Sequence, residues 1–443
     1  MSVRAPALVR AQLRSPYDRE ILGLAVLALG SLAAEPLYVL VDTAIVGHLG
    51  RAQLAALALA STELALFFTV FNFLAYATTA QVTRAYGAGQ RETAHSLGVQ
   101  AVWLSLAIGV VSAVVAAATA EPAMSLLGAD GRTADFGVTY LRIASLGLPF
   151  AFLALGGQGY LRGISDLRTP LVVIGVGNAV NAVLEVLFVY GFDWGIAGSA
   201  WGTTLAQALM GAGFIWRIAR ADGVGRRPRA QLMRRLLSIG KHIFVRTCAL
   251  YASFLIATAV AARFGDASVG AHNIAFQLWV FLALVLDAIA IAGQVIAGRL
   301  LGAGDRDAAY AAGFRMIVLS TVAGAVFAVA MIALGGVLPH VFTGDHDVLE
   351  KASTIWPIFA LMQPLNGAVF ALDGILIGAG DARFLMISMA GASAVSVTLS
   401  LLVLALGWGI VGVWLSILTL IVLRLTLLGR RFASGRWLVT GWA

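Results

Sequence analysis

The chain has 443 residues, of which 60% are hydrophobic and only 12% charged, with a mean hydropathy of +0.90. A soluble fold would leave much of that apolar surface uncovered. Stretches such as 99–120 and 384–410 carry no ionised side chain and are long enough to cross about 30 Å of hydrocarbon, so the chain reads as an integral membrane protein. The composition excludes a disordered chain. A single cysteine, Cys248, excludes an internal disulfide framework and a thiolate metal cluster.

Breaks at Gly, Pro and charge clusters predict twelve helices, near 20–47, 53–82, 94–119, 134–161, 169–190, 196–219, 236–262, 268–298, 309–336, 351–378, 383–406 and 409–428. The net charge of +8 invites a nucleic-acid reading, which the placement of the charges removes. One side of the membrane collects Arg4, Arg10, Arg14, Arg19, Arg84, Arg91, Arg162, Arg168, the basic group from Arg217 to Lys241, Arg299, Arg306, Arg315, Arg383 and the C-terminal arginines. The other side has Arg51, Arg132, Arg263 and Lys351. The positive-inside bias accounts for that asymmetry without a nucleic-acid partner and places both termini in the cytoplasm, with an even number of spans. The first residues lack an apolar stretch ending in a small-residue cleavage site and read as a cytoplasmic tail.

The chain also matches itself. At an offset of 215, Arg84–Ala94 (RAYGAGQRETA) aligns with Arg299–Ala309 (RLLGAGDRDAA), identical at six of eleven positions. The same offset pairs Gly163, Asp166 and Arg168 with Gly378, Asp381 and Arg383, and an offset of 214 pairs Trp194–Gly198 (WGIAG) with Trp408–Gly412 (WGIVG). Three matches in the same order indicate an internal duplication. Each half has an even number of spans, so both enter the membrane in the same orientation. The predicted fold is an all-α membrane protein of twelve transmembrane helices in two six-helix lobes, related by a pseudo-two-fold axis along the membrane normal. The expected units are an N-terminal lobe at 1–221, a basic cytoplasmic linker at 222–235 and a C-terminal lobe at 236–443.

Six carboxylates inside the predicted spans stand out, Glu35, Asp42, Glu63, Glu185, Asp287 and Asp373, and with them the basic residues Arg142 and Arg246. A charge at the bilayer centre costs roughly 2.5 to 3.5 kcal/mol on insertion scales, so these groups must face protein or a water-filled cavity. An acidic interior favours a cationic or proton-accepting cargo over an anion. Glu35 and Asp42 share a face of the first helix, and Pro36 between them removes one backbone hydrogen bond and permits a hinge. Asn178, Asn181 and Glu185 stand three and four residues apart, which gathers two amides and a carboxylate on one stripe. For a proton, one desolvated carboxylate suffices. For sodium, several oxygens must converge as metal ligands, and Asp42, Asn178, Asn181 and Glu185 can supply them. Asp287 and Asp373, with Gln277 and Asn366 on the same helices, are candidates for lining a substrate cavity, as is Glu35; Glu35 and Glu63 equally suit packing near a helix end. Arg246 is expected to be the counter-ion of one of the acids.

Enzyme signatures are weak. The chain has no GxxxxGK[ST] phosphate loop and no HExxH string. Gly378–Asp381 (GAGD) fits the GxGD string of intramembrane aspartyl proteases, but Gly302–Asp305 fits it too, at a repeated loop. The six histidines lack metal-ligand spacing.

Three strings carry a resemblance: Pro36–Gly50 (PLYVLVDTAIVGHLG), Gly177–Glu185 (GNAVNAVLE) and Leu372–Gly378 (LDGILIG). With the duplicated Gly-Ala-Gly loops, and over nearly the whole chain, they resemble the multidrug and toxic compound extrusion (MATE) family, in its DinF-like branch. The resemblance implies a cation-coupled exporter that alternates between inward-open and outward-open V shapes, with ion coupling centred on acids of the N-terminal lobe. Asp42 matches the family's acid on the first helix. Glu185 stands where the branch commonly has aspartate, so its carboxylate reaches one methylene further. The family divides over proton and sodium coupling, and over whether acids such as Asp287 and Asp373 bind substrate.

The expectation is therefore a monomeric antiporter of the cell's inner, cytoplasmic membrane. It would export amphiphilic organic cations in exchange for H+ or, second, Na+, with no cofactor and no nucleic-acid partner. The alternatives are a lipid-linked-precursor flippase, which would want a basic cavity for pyrophosphate, and an intramembrane hydrolase, which would turn over without an ion gradient.

Overall fold

The computed structural model describes residues 16–220 and 227–442. The tail arginines Arg4, Arg10 and Arg14, and linker positions 222–226, lie outside the described residues. The elements are helical throughout: α1 (Asp18–Gly47), α2 (Arg51–Phe71), α3 (Phe73–Gly87), α4 (Arg91–Leu126), α5 (Gly131–Ser145), α6 (Leu148–Gly163), α7 (Arg168–Val186) continued by a π turn (Leu187–Gly191), α8 (Gly195–Ala219), α9 (Ala230–Arg263), α10 (Asp266–Gly302), α11 (Arg306–Ala333), the short α12 (Leu338–Phe342), α13 (His346–Leu361), α14 (Gln363–Gly378), α15 (Ala382–Leu406) and α16 (Gly409–Ala433).

These elements occupy the twelve spans that the sequence predicts. Among the described residues nine helices are long and apolar enough to cross a membrane, and two further spans are pairs bent at a short break, α5–α6 by 50° and α13–α14 by 47°. The remaining span is α8, whose 25 residues cover roughly 37 Å at the helical rise. Each elbow has a proline in the first turn of its second helix, Pro149 and Pro364, where the missing N–H and the ring allow the chain to turn without losing a helical bond.

The duplication extends to packing. Pro149 and Pro364 are 215 residues apart, and each elbow sits against a glycine at the same separation. A Cβ on Gly109 would stand 2.6 Å from Pro149 Cα, and one on Gly324 would stand 2.8 Å from Pro364 Cα. Likewise Gly159 of α6 lies against the Ala75 backbone of α3, and Gly374 of α14 against the Ala290 backbone of α10. Two lobes of one architecture are stacked from the same close helix crossings.

The lobes meet at the arginine-rich face. A Cβ on Gly87 would overlap the Arg299 carbonyl, and a Cβ on Gly302 would overlap the Arg84 carbonyl. These four residues are two repeat pairs, so the pseudo-two-fold axis passes between the ends of α3 and α10. Charge reinforces the seam. Arg299 pairs with Glu20 of α1 (2.5 Å) and Arg315 with Asp18 (2.6 Å). Arg84 donates to the backbone carbonyls of Ala379 (2.5 Å), Val439 (2.6 Å) and Gly441 (2.6 Å). A short C-terminal strap therefore lies over the seam, anchored by buried Trp437, by Gly441 N–H on the Leu301 carbonyl and by Trp442 beneath the Arg235 guanidinium.

Candidate functional site

α1, α5, α7 and α8 converge on two carboxylic acids inside the N-terminal lobe. Asp42 of α1 is 3% exposed and Glu185 of α7 is fully buried. Ser199 Oγ donates to Asp42 Oδ1 (2.6 Å), and the Tyr140 hydroxyl approaches Oδ2 (3.5 Å). Thr203 Oγ1 donates to Glu185 Oε1 (3.3 Å) and receives hydrogen bonds from Asn181 Nδ2 (3.3 Å) and the Tyr38 hydroxyl (3.0 Å). The two carboxyl groups are neighbours close enough to act on each other electrostatically. Two neighbouring carboxylates repel each other, so the arrangement suits a shared proton or a cation between them. Asn181 Oδ1 and Glu185 Oε2 are buried with no hydrogen-bond partner among the described residues.

Local sequence places Glu185. Gly202 of α8 makes room for it, since a Cβ there would stand 2.9 Å from Glu185 Cγ. Immediately beyond Glu185 the helix widens into the π turn Leu187–Gly191, which accommodates one extra residue per turn. The sequence records that residue: the repeat offset is 215 up to Glu185 and 214 from Trp194 onward. The equivalent α15 runs without such a turn to Leu406. The N-terminal lobe therefore holds an insertion next to its buried acid.

The C-terminal lobe repeats the helices but not the chemistry. Asp42, Tyr140, Asn181, Glu185, Ser199 and Thr203 correspond to Ala257, Ile355, Ser396, Ser400, Val413 and Ile417. Ser400 and Ser416, at the places of Glu185 and Gly202, bond hydroxyl to hydroxyl at 2.7 Å. A small residue faces a large one in the first lobe, and two small ones face each other in the second.

Of the other residues singled out by sequence, Asn178 Nδ2 donates to the Ala34 carbonyl (2.9 Å). It ties α7 to α1 just before Pro36 rather than joining the acids. α1 runs unbroken through Pro36. Glu35 and Gln277 are exposed and Glu63 is half-buried. Asn366 is buried and donates to Gln363 Oε1 (3.3 Å) at the α14 elbow. Asp287, half-buried on α10, accepts from the Tyr76 hydroxyl of α3 (3.1 Å) across the seam. Asp373, 5% exposed, accepts from Arg246 Nη2 (2.6 Å), its expected counter-ion, and also from Arg424.

The charge tally expected from sequence needs correction. Arg142 is exposed and paired with exposed Glu121 (2.8 Å), so it is no interior charge. Arg424 and Arg162 are buried. Arg424 lies on the packed face of α16 with Leu420 and Leu428, although its nearness to the C-terminal arginines suggests a solvated end. Arg162, one residue past the expected end of its span, turns inward to Gln158 (2.9 Å) and interacts with Asp287. Of the six span acids, only Asp373 forms an ion pair among the described residues, and the two buried acids of the N-terminal lobe, Asp42 and Glu185, have none.

Tyr38, Tyr140, Ser199, Thr203 and Arg424 escape the sequence reading. Tyr38 sits one turn before Asp42, and Ser199 and Thr203 are one turn apart on α8, a spacing that could have drawn notice. Tyr140 has no local signal, since α5 reaches Asp42 only through the tertiary fold.

Comparison with known proteins agrees with this architecture. The MatE family model matches residues 28–187 and 243–404. The chain is 31% identical over 425 residues to the probable multidrug resistance protein NorM of Deinococcus radiodurans, covering 90% of this chain and 92% of that one. It is 27% identical over 434 residues to the DNA damage-inducible protein F of Escherichia coli (strain K12), covering 95% and 94%. The crystal structure of the Vibrio cholerae MATE transporter VcmN in its bent form superposes with a TM-score of 0.86 at 20% identity, covering 94% of this chain and 96% of that one. Duplicated lobes, elbows and family match together place the chain in the MATE family of multidrug and toxin extrusion transporters, as a multi-pass membrane protein.

Proposed function

We propose that this protein is a secondary antiporter that exports amphiphilic organic molecules bearing positive charge, in exchange for protons, by alternating access. On this reading it works as a monomer in the cytoplasmic membrane with both termini inside, needs no cofactor beyond the coupling ion, and catalyses no covalent chemistry. The observation that carries it is the burial of Asp42 and Glu185 as neighbours whose hydrogen-bond partners among the described residues are hydroxyls, with no guanidinium or ammonium among them.

A proton held between the two carboxyls lets α1, α7 and α8 pack closely. Its loss leaves two neighbouring negative charges, a repulsion of about 4 kcal/mol for charges ~4 Å apart with an effective dielectric near 20. The helices then separate, or a cation enters. Protonation and packing are thus alternatives at one site, and a ligand favouring one state of the site drives out the ligand favouring the other. Pro36, beside the Asn178 bond to Ala34, gives α1 a place to flex as the site changes. With the arginine-rich face in the cytoplasm, the described state is closed on that side.

Sodium is the second reading, favoured by the unpartnered Asn181 Oδ1 and Glu185 Oε2, which could complete an oxygen shell with both carboxylates. Proteoliposomes with independently imposed proton and sodium gradients separate the two. Dye efflux should follow the proton gradient and fall at least about tenfold in Asp42→Asn and Glu185→Gln. Efflux driven by sodium alone moves the assignment to sodium, and undiminished efflux in both variants rejects this site as the coupling site.

A further inference from the structure

The one acid that the C-terminal lobe buries most deeply is surrounded by more positive charge than it can neutralise. Asp373 shares a single oxygen, Oδ2, between Arg246 and Arg424. Its Oδ1 has no partner among the described residues, nor has the Nε of either arginine. The side chains of Arg246, Asp373 and Arg424 are 12%, 7% and 4% exposed, so these are desolvated groups. Asp287, which Arg162 and Arg246 both influence, adds one more carboxylate and one more guanidinium to the neighbourhood. Three guanidiniums and two carboxylates thus lie within electrostatic reach of one another.

An unbalanced buried guanidinium is costly, and packing does not require it. The repeat makes that point within the same molecule. Arg246, Asp373 and Arg424 correspond to Ser31, Gln158 and Met210, so the other lobe builds the same crossing of helices with no charge at any of the three places. The unused N–H groups form a ready receptor for a second oxyanion, since a guanidinium has five donors and binds carboxylate or phosphate through two at once. Access comes through Arg246, the most exposed of the three. It neighbours Asp287 and Tyr76, which bridge the lobes by the 3.1 Å hydrogen bond, and separation of the lobes would break that bridge and uncover this edge.

Building on the transport reading above, we propose that Arg246 and Arg424 form an oxyanion-binding subsite for cargo, and that the transported amphiphile is therefore zwitterionic, carrying an acidic group besides its cationic one. Asp373 holds the two arginines in place when the subsite is empty. The acidic group of the cargo takes their free N–H groups.

A matched pair of dyes tests this. Rhodamine 110 carries a free carboxylate, and rhodamine 123 is its methyl ester and purely cationic. Binding of each to the purified full-length protein is measured by fluorescence anisotropy without any ion gradient, so that coupling plays no part. The acid should bind at least about tenfold more tightly than the ester, in keeping with charge-assisted hydrogen bonds. The ratio should fall towards one in Arg246→Gln and Arg424→Gln, survive in part in Arg246→Lys and Arg424→Lys, and rise in Asp373→Asn, where the competing carboxylate is gone. Thermal unfolding of each variant identifies those that do not fold, and the wild-type ratio with Asp373→Asn still decides the matter. Equal or weaker binding of the acid, binding of neither dye, or an unchanged ratio in folded arginine variants overturns the proposal. Loss of proton-driven flux with the acid preference intact would instead count against the coupling reading alone.

Discussion

Gly202 and Glu185 occupy one volume between α8 and α7: the space that a methyl group would need at residue 202 is where the Glu185 side chain runs, with its Cγ 2.9 Å from that point. The mates of this pair, Ser416 and Ser400, meet as two hydroxyls. A single glycine thus determines whether a long acid can lie buried at this crossing.

Gly202→Ala should therefore displace Glu185 from Asp42 while leaving the helices assembled. Proton-driven efflux should fall several-fold to about tenfold, with a loss of stability of about 1 to 3 kcal/mol from overpacking. Efflux in proteoliposomes alongside thermal unfolding checks both, and wild-type efflux would show that the position of Glu185 is unimportant.

The seam between the lobes gives a second test. Gly87→Val and Gly302→Val each put a side chain into a backbone carbonyl of the opposite lobe, and close packing cannot absorb that overlap. Both variants should fold but be unable to close at the arginine-rich face. Spin labels on the ends of α3 and α10 should report a longer distance than in the wild type, and efflux should drop by more than about tenfold.

The C-terminal strap should act as a latch on the same seam. Truncation after Phe432 removes the carbonyls of Val439 and Gly441 that receive the Arg84 guanidinium and also removes Trp437 and Trp442. A buried charge deprived of acceptors costs of the order of a few kcal/mol. Limited proteolysis near residues 84–91 should become several-fold faster. Unchanged protection would show that the strap does not hold the seam.

Asp373 separates pairing from mere polarity. Asp373→Ala leaves Arg246 and Arg424 buried without their shared acceptor and should destabilise the protein by about 3 to 5 kcal/mol, the usual cost of orphaning one side of a buried ion pair. Asp373→Asn retains an acceptor oxygen and should cost less. Denaturation of the two variants in the same detergent measures the difference.

Much of the fold was legible in the chain because a bilayer imposes a simple rule. Backbone groups in hydrocarbon must pair within their own segment, so length and apolarity announce each span. The elbows were less legible, since Pro149 and Pro364 fall inside spans long enough to be read straight through. Asp42 and Glu185 stood out because buried acids are rare in membranes, whereas Tyr140, Ser199 and Thr203 are ordinary helix residues until the fold turns them towards those acids. Asn178 shows the reverse: its spacing from Asn181 and Glu185 suggested a common ligand set, yet its amide is spent on the Ala34 carbonyl.

By itself, the sequence determined the membrane environment, the spans, their duplication and the presence of costly charges within them, because hydropathy and repetition are local properties of a chain. Only the tertiary structure decided which charges meet. It joined Asp42 to Glu185 without a basic partner and gave Asp373 two arginines instead of one, because the direction of a side chain within a bundle depends on how its helix packs against others far away in sequence.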